Sequence, residues 1–279
     1  MSGEKMKKGR IRGFLRSFAK KVRNNKFSFV IYVTMGVITS VVIFLTFIAG
    51  HYESTFTAVL SLFLFMLPTF VEESFRIKLP VAMEIIAVLF VFCANILGEI
   101  AGFYVLFPFW DDMLHYTSGF IFAAFGFSLV EIFNRHARFD FYLSPAFISL
   151  VALFFAMTVG VMWEFFEFSA DILLGTDMQK DFIVHNISSI RLGDGEKLPV
   201  RIRDIAQTVI ITESGETVTV DGYLDIGLLD TMKDLFVDFL GALFFCTIGY
   251  FYTGHSKKGK LARRFIPRVE SDEGRDSTP

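Results

Sequence analysis

Six long stretches of apolar residues follow one another along the chain, and polar residues are concentrated between them. A helix that crosses the hydrocarbon core of a bilayer needs about 20 mostly apolar residues. Each stretch reaches or approaches this length, so the pattern predicts six transmembrane helices. The second stretch is the shortest and contains Pro68 near its end. The predicted spans are residues 27–50, 54–71, 80–103, 113–133, 144–174 and 230–252.

The segment between the fifth and sixth stretches has a different pattern. Residues 176–229 contain runs in which apolar and polar positions alternate, which is typical of β-strands. Strands are predicted over 182–192, 198–203, 207–212 and 217–220, and the last two form a hairpin with a four-residue loop. The predicted fold class is an all-α polytopic membrane protein: a bundle of six transmembrane helices with a small β-rich extracytoplasmic insertion between helices 5 and 6. The insertion is either a lid or recognition module, or a connection without a role of its own.

Composition excludes several classes of protein. Hydrophobic residues make up 53% of the chain and charged residues 20%, compared with about 25% charged residues in typical chains. A disordered chain, a disulfide scaffold and a nucleic-acid-binding protein are therefore excluded. Cys93 and Cys246 both lie in apolar stretches, so the sequence offers neither a disulfide framework nor a CxxC metal site.

The distribution of Lys and Arg predicts the orientation of the helices. Residues 1–26 contain ten Lys and Arg residues and one Glu, and the positive-inside rule assigns such a segment to the cytoplasm. The short loops that follow alternate along the chain between loops without Lys or Arg and loops that carry them. Both termini are therefore expected in the cytoplasm, and the insertion is expected outside. The predicted parts of the chain are a basic cytoplasmic arm (1–26), helices 1 to 5 (27–175), the insertion (176–229), helix 6 (230–253) and a disordered cytoplasmic tail (254–279).

Ionisable residues form three groups at helix ends that this orientation places in the outer half of the bilayer. One group lies within about one turn at the start of the fourth helix. The second is spaced i, i+3 and i+7 late in the fifth helix, and the third i, i+4 and i+8 at the start of the sixth, so each forms a stripe on one helix face. The groups are Asp111, Asp112 and His115; Glu164, Glu167 and Asp171; and Asp230, Asp234 and Asp238.

A charged side chain at bilayer depth costs about 2.5–3.5 kcal/mol even on the mildest scale. Such a cluster is expected to be protonated, hydrated in a cavity or bound to a cation. Oxygen ligands with one imidazole suit a divalent metal, with Mg²⁺ or Mn²⁺ favoured over Zn²⁺. Structural polar packing is the alternative, with Asp111 and Asp230 as helix N-caps. The predicted metal ligands are Asp111, Asp112, His115, Glu164, Glu167, Asp230, Asp234 and Asp238.

Two further patterns concern packing rather than chemistry. Gly119, Ala123 and Gly126 recur at i, i+4 and i+7, which predicts a face for close helix packing. Glu84 and Glu131 lie near predicted inner helix ends beside basic loops, which explains these carboxylates without a site in the inner half of the membrane.

Three motifs, separated by long stretches of chain, are fairly specific in combination. They are Phe107-Pro108-Phe109-Trp110-Asp111-Asp112-Met113-Leu114-His115 with Ser118-Gly119, then Trp163-Glu164-Phe165-Phe166-Glu167, then Asp230-Thr231-Met232-Lys233-Asp234-Leu235 with Asp238 and Gly241-Ala242. Together, over residues 80–252, they resemble the YjdF-like family of bacterial inner-membrane proteins. Their order also resembles, more distantly, the VanZ-like proteins, some of which are linked to low-level glycopeptide resistance. The resemblance implies a location in the bacterial cytoplasmic (plasma) membrane and supplies no activity.

The sequence favours a metal-dependent membrane hydrolase or transferase acting on a lipid or lipid-linked envelope substrate, with His115, Glu164 and Asp234 as catalytic residues. A non-catalytic binding, envelope-stress or antibiotic-resistance protein would use the same residues. A cation- or proton-coupled transporter is disfavoured, because segments 145–156 and 240–250 contain no charged residue. Membrane lipids are the expected partners, and no nucleic acid is expected.

Overall fold

A computed structural model describes residues 25–75, 77–136, 143–193 and 198–254, together with residues 13, 14, 16, 18, 19, 23, 265, 268 and 269. The predicted basic arm and disordered tail lie largely outside the described residues. The chain forms two compact units. The first contains the residues up to Val159 and from Val237 onward, and the second runs from Gly160 to Phe236.

Within the described residues, six helices are long and apolar enough to cross a membrane, as the hydropathy pattern predicts. Their ends fall within a few residues of the predicted ones, because each helix continues until its apolar run meets a turn or a polar loop. The predicted fold class, with a small strand-containing region between the fifth and sixth helices, is confirmed. The helices are α1 (Lys26–Ile48), α2 (Tyr52–Phe75), α3 (Val81–Ile100), α4 (Trp110–His136), α5 (Pro145–Leu174) and α6 (Leu228–Gly254).

Two of these helices are irregular. Helix α2 consists of Tyr52–Leu64 and Leu67–Phe75, and Pro68 occupies the first turn of the second part, where a missing N–H is tolerated. Helix α3 is α-helical over Val81–Val91 and then a π-helix over Phe92–Ile100. A π-helix of this length is rare, because its i→i+5 geometry is less stable than the α form.

Among its described residues, the first unit contains two buried clusters of apolar side chains. One cluster lies around Tyr32, Phe65 and Val88 of α1, α2 and α3. The other centres on Phe127 and Phe245, and its remaining members are mostly alanines, which allow helices to approach closely. Its buried residues are Met83, Ala123, Ala124, Phe127, Ile148, Ala152, Ala156, Ala242, Phe245 and Cys246.

Within the first unit, α4 and α6 run in the same direction along each other. Gly241 lies against Tyr116, Phe120 against Phe244, and Gly249 against Phe127, so residue numbers rise together along the contact. Also in this unit, the short strand β1 (Ile77–Lys78) pairs with β8 (Arg268–Val269), a pairing that the sequence did not predict.

The second unit contains the end of α5, the start of α6 and the insertion between them. The part of the insertion that the structure describes forms three two-stranded antiparallel ladders: β2 (Ile183–Val184) with β7 (Tyr223–Leu224), β3 (Ile187–Ser189) with β4 (Val200–Ile202), and β5 (Thr208–Ile211) with β6 (Thr217–Val220). The predicted β5–β6 hairpin is confirmed. The single strand predicted over 182–192 is wrong: it is two short strands and a 3-10 turn, because each part pairs with a different partner.

Candidate functional site

His115 is the centre of a polar group in the first unit, although it lies inside a transmembrane helix. Its side chain is buried, with 7% of the residue exposed, and each ring nitrogen faces a carboxylate. The Nδ1 atom lies 3.4 Å from Asp238 Oδ2 and the Nε2 atom 3.8 Å from Asp111 Oδ1. Asp111 reaches His115 because residues four apart lie on one face of a helix, whereas Asp238 reaches it from the neighbouring helix α6.

Ser118 completes this group and was not among the predicted site residues. Its hydroxyl donates to Asp238 Oδ1 at 2.5 Å and lies 2.9 Å from the carbonyl oxygen of His115, one turn earlier. Both carboxylate oxygens of Asp238 therefore have a partner on α4. The signal that could have identified Ser118 is its i+3 spacing from His115, which places the two side chains on one face.

Two glycines bring the helices close enough for these contacts. A Cβ atom at Gly119 would collide with the backbone of Asp238, and one at Gly241 would collide with the backbone of Tyr116. The predicted packing face is thus confirmed: Gly119 packs against α6, Ala123 is buried and Gly126 packs against Phe155 of α5. The Ser118 and Asp238 side chains beside this helix crossing can meet directly only because both glycines lack a side chain.

The distances around His115 decide what the group can do. A separation of 3.8 Å between Nε2 and the Asp111 carboxylate is too long for a hydrogen bond. The same separation is within the span of two ligands on one metal ion at a wide angle, because each metal–ligand bond is about 2.0–2.2 Å long. Asp111 and His115 could therefore share a divalent cation, with Asp238 on the other ring nitrogen orienting the imidazole and Ser118 orienting the Asp238 carboxylate.

In the second unit, the carboxylates of α5 are buried while their aromatic neighbours are exposed. Glu164 and Glu167 are buried, whereas Trp163, Phe165 and Phe166 are each about half exposed. The indole N–H of Trp163 donates to Glu167 Oε1 at 2.8 Å, which fixes that carboxylate. The apolar face suits lipid, and the two predicted ligands lie on the face away from it.

Asp230 and Asp171 bind the insertion's backbone. Asp230 Oδ2 accepts a hydrogen bond from the Lys180 N–H at 2.8 Å. Asp171 accepts hydrogen bonds from Thr176 and from the Met178 and Gln179 N–H groups. Asp234 is also buried, with 1% of the residue exposed.

The alternative role of Asp111 and Asp230 as N-caps is wrong. Helix α4 begins at Trp110 and α6 at Leu228, so both aspartates lie inside the first turn rather than at the cap. The Leu229 N–H at the start of α6 is instead bound by Asp225 Oδ2 at 2.8 Å.

The structure thus brings together Asp111, His115 and Asp238 within the first unit, with Asp112 half-buried beside Asp111. It buries Glu164, Glu167, Asp230 and Asp234 within the second unit. The convergence of both sets in one cavity stays a prediction.

Glu84 differs from expectation: it lies in the first turn of α3, as predicted, but is 3% exposed and lies beside the buried Tyr32. The Glu131 side chain lies outside the described residues.

The chain belongs to the family described as "Predicted membrane protein (DUF2238)", whose model matches residues 30–255. It is also similar to a Thermotoga maritima protein described as "Uncharacterized protein", with 31% identity over 84 residues. That match covers 30% of this chain and 41% of the Thermotoga protein, so it spans less than half of either. No solved structure matches. Family membership agrees with the coarser part of the predicted resemblance, a family of membrane proteins, and the resemblance to VanZ-like proteins stays a prediction.

Proposed function

We propose that this member of the DUF2238 family binds a divalent cation within the membrane through Asp111 and His115, with Asp238 orienting the imidazole. The observation that supports this proposal is the buried His115 ring, whose two nitrogens face two carboxylates at 3.4 and 3.8 Å. A neutral imidazole has one N–H and one lone pair, so it can donate to one carboxylate but not to both. A cation between Nε2 and Asp111 would bind the lone pair of Nε2 while the Nδ1–H donates to Asp238, an arrangement common among metal-bound histidines.

Helix geometry suggests a further ligand. Asp234 precedes Asp238 by one turn on the unbroken helix α6, and Asp111 precedes His115 by one turn on α4. The predicted ligand Asp234 remains a candidate, because it is buried and lies one turn from Asp238 on the same face of α6. Asp112, Glu164, Glu167 and Asp230 remain candidates for further carboxylate ligands. Mg²⁺ or Mn²⁺ suits this oxygen-rich set better than Zn²⁺.

The chemistry we propose is metal-assisted hydrolysis or group transfer on a lipid or lipid-linked envelope substrate. A cation held by carboxylates can activate water and polarise a phosphoryl or carbonyl oxygen. His115 would hold and orient the cation, and Glu164 and Asp234 would act as acid and base. A substrate that lies in the membrane suits a site on transmembrane helices, and we place the protein in the bacterial cytoplasmic membrane with both termini in the cytoplasm.

Thermal unfolding of the purified protein across a series of Mg²⁺ and Mn²⁺ concentrations tests cation binding. A ligand that binds only the folded state stabilises it by about 2.7 kcal/mol at 100 times its Kd. The wild type should therefore be stabilised, and the Asp111→Asn variant should lose most of this response. Asp111 is the best position for the test because Asn keeps the size of the side chain and removes the carboxylate charge that faces His115 Nε2 at 3.8 Å.

Asp171→Asn is the matched control, because it removes the same charge from a residue that binds the insertion's backbone. Its response to the cations should equal that of the wild type. Equal responses in all three proteins, or no response in the wild type, would mean that the acids are structural. Cation binding without turnover of any lipid or lipid-linked phosphate would retain the site and assign it to binding rather than catalysis.

A further inference from the structure

The insertion has almost no core of its own. Among residues 183–193 and 198–224, Gly222 is the only buried residue. Branched aliphatic side chains are instead exposed, and several lie around the β3–β4 ladder. Leu198 is 72% exposed, Ile190 57%, Ile202 41% and Val200 37%. Exposed aliphatic residues at this density mark a surface that an apolar environment normally covers.

The β3–β4 ladder has two chemically different faces. Ile187 pairs with Ile202, and Ser189 with Val200, so these four side chains share one face. Ser188 pairs with Arg201 and lies on the opposite face. Arg203, two residues after Arg201, continues that second face, and both arginines are exposed. One face is therefore mainly aliphatic and the other basic.

The ladder cannot move far from the membrane. It follows β2 after two residues, and the β2–β7 pairing closes the base of the insertion. Only residues 175–182 connect α5 to β2, and residues 225–227 connect β7 to α6. An extended chain reaches at most about 3.6 Å per residue. Because both ends continue into transmembrane helices, the bilayer surface is the apolar environment always within reach of this ladder.

We propose that the β3–β4 ladder is an interfacial membrane-binding element that recognises anionic lipid. Its aliphatic face lies at the boundary between headgroups and acyl chains, and Arg201 and Arg203 bind the surrounding phosphate groups. Aliphatic residues on one face and arginines on the other are the pattern by which amphipathic elements lie in the plane of a membrane. An aliphatic face alone would suit a protein partner equally well, and the arginines on the opposite face favour the lipid surface.

Site-directed fluorescence on the full chain in lipid nanodiscs tests this proposal. Single cysteines replace Val200, Arg201 or Ile202 in a background with Cys93→Ala and Cys246→Ala, and each carries an environment-sensitive dye. Thr217, exposed on the β5–β6 hairpin, is the matched control position. With brominated lipids in the disc, dyes at 200 and 202 should be quenched strongly and dyes at 201 and 217 weakly, because neighbouring strand residues face opposite sides. Dyes that are quenched at none of these positions, or equally at 200, 201 and 202, would overturn the proposal.

The arginines are tested separately in discs of phosphatidylglycerol and phosphatidylcholine, with the dye at position 200. In the anionic discs, Arg203→Gln should lower the ratio of membrane-bound to membrane-free β3–β4 ladder about fivefold. This factor corresponds to about 1 kcal/mol per cation. In phosphatidylcholine discs it should have no effect. An equal effect in both lipids would overturn anionic-lipid recognition. Dye shielding that appears only with two copies per disc would assign this face to a second copy of the chain instead. A dye at Leu198→Cys provides the same readouts if Val200→Cys does not fold.

Discussion

At the scale of single residues, the contact between Ser118 and Asp238 carries the most information about the site. The two residues are 120 positions apart in the sequence, and the hydroxyl donates to the carboxylate at 2.5 Å. Hydrogen bonds to an ionised acceptor are shorter and stronger than neutral ones, and this one lies where water has little access. Ser118 therefore contributes to the fold by holding α4 to α6 and to the site by orienting Asp238.

Ser118→Ala should lower the free energy of unfolding by about 1.5–3 kcal/mol, the range for a hydrogen bond to a charged group. The measurement is reversible unfolding of the purified protein in mixed micelles. Ser169→Ala is the control, because Ser169 is exposed and its hydroxyl binds only the Phe165 carbonyl of its own helix. If the two variants unfold alike, Ser118 does not hold the helices together.

The sequence predicted which of these residues lie on one helix face, and it could not predict which faces meet. Periodicity relates His115 to Asp111, because both lie on α4. The contact with Asp238 depends on the rotation of α6 about its axis, which the glycines at the crossing determine. Glu84 shows the same limit: its position near a helix end was predictable, but its burial beside Tyr32 depends on how three helices pack.

Asp181, in the insertion, allows a prediction of pH dependence. Asp181 is exposed, but partial desolvation of its carboxyl group raises the pKa above the ordinary value of 3.8, and the negative charges of Asp177, Asp225 and Asp171 add to this effect. A carboxyl group whose pKa is raised by folding destabilises the folded state at neutral pH. That destabilisation is relieved as the pH falls through the raised pKa toward 3.8.

Asp181→Asn should therefore raise the melting temperature at neutral pH, and the difference from the wild type should shrink in acid. Thermal melts across the acidic range measure this. Asp221→Asn, which removes a charge from an exposed position of the same insertion, should give no such convergence. A constant difference between Asp181→Asn and the wild type at all pH values would contradict the assignment.

At the scale of elements, the crossing of α4 and α6 is the contact on which the site depends. Gly119 and Gly241 each face the backbone of the opposite helix, and backbone cannot move aside as a flexible side chain can. Gly36 is the natural comparison, because it lies in the middle of α1 with open space around its Cα.

Gly119→Ala should destabilise the protein by about 1–3 kcal/mol, the usual range for overpacking a close contact. It should also weaken the cation response, because separating the helices moves Asp238 away from His115. Gly36→Ala should leave both properties unchanged or slightly improve stability, since Ala favours helix. Thermal melts of both variants with and without Mn²⁺ provide the comparison. A Gly119→Ala variant with the stability and cation response of the wild type would show that the crossing tolerates a wider separation.

Elements defined by local sequence were predicted well, and those defined by distant partners were not. The six spans follow from runs of apolar residues, and the β5–β6 hairpin from two alternating runs around a short loop. The β2–β7 ladder joins strands that begin 40 residues apart, and no local pattern specifies that pairing. The π-helical part of α3 was also unpredictable, because its apolar composition suits an α-helix equally well.

At the scale of the whole molecule, the direction of each span decides which side of the membrane the acids occupy. Asp111, Asp230 and Asp234 lie at the starts of α4 and α6, and Glu164 and Glu167 lie late in α5. In a chain of six consecutive spans, the starts of the fourth and sixth and the end of the fifth lie on one side. The six-span topology therefore predicts that the acidic groups share one half of the bilayer, whichever half that is.

The side is predicted by the distribution of Lys and Arg, and topology reporters can determine it. A reporter fused after Arg138 or Lys258 should behave as cytoplasmic, and one inserted near Glu213, at the tip of the β5–β6 hairpin, as extracytoplasmic. The physical reason is the positive-inside rule, because loops with several Lys and Arg residues resist transfer across the membrane. Alkaline phosphatase, active only outside the cytoplasm, and a green fluorescent protein, fluorescent only inside it, give opposite readouts at each position. A fusion at Tyr52 is the control, since its loop lacks Lys and Arg and should report the same side as Glu213. A cytoplasmic Glu213 would move every acidic group to the inner half of the bilayer and replace the envelope substrate with a cytoplasmic one.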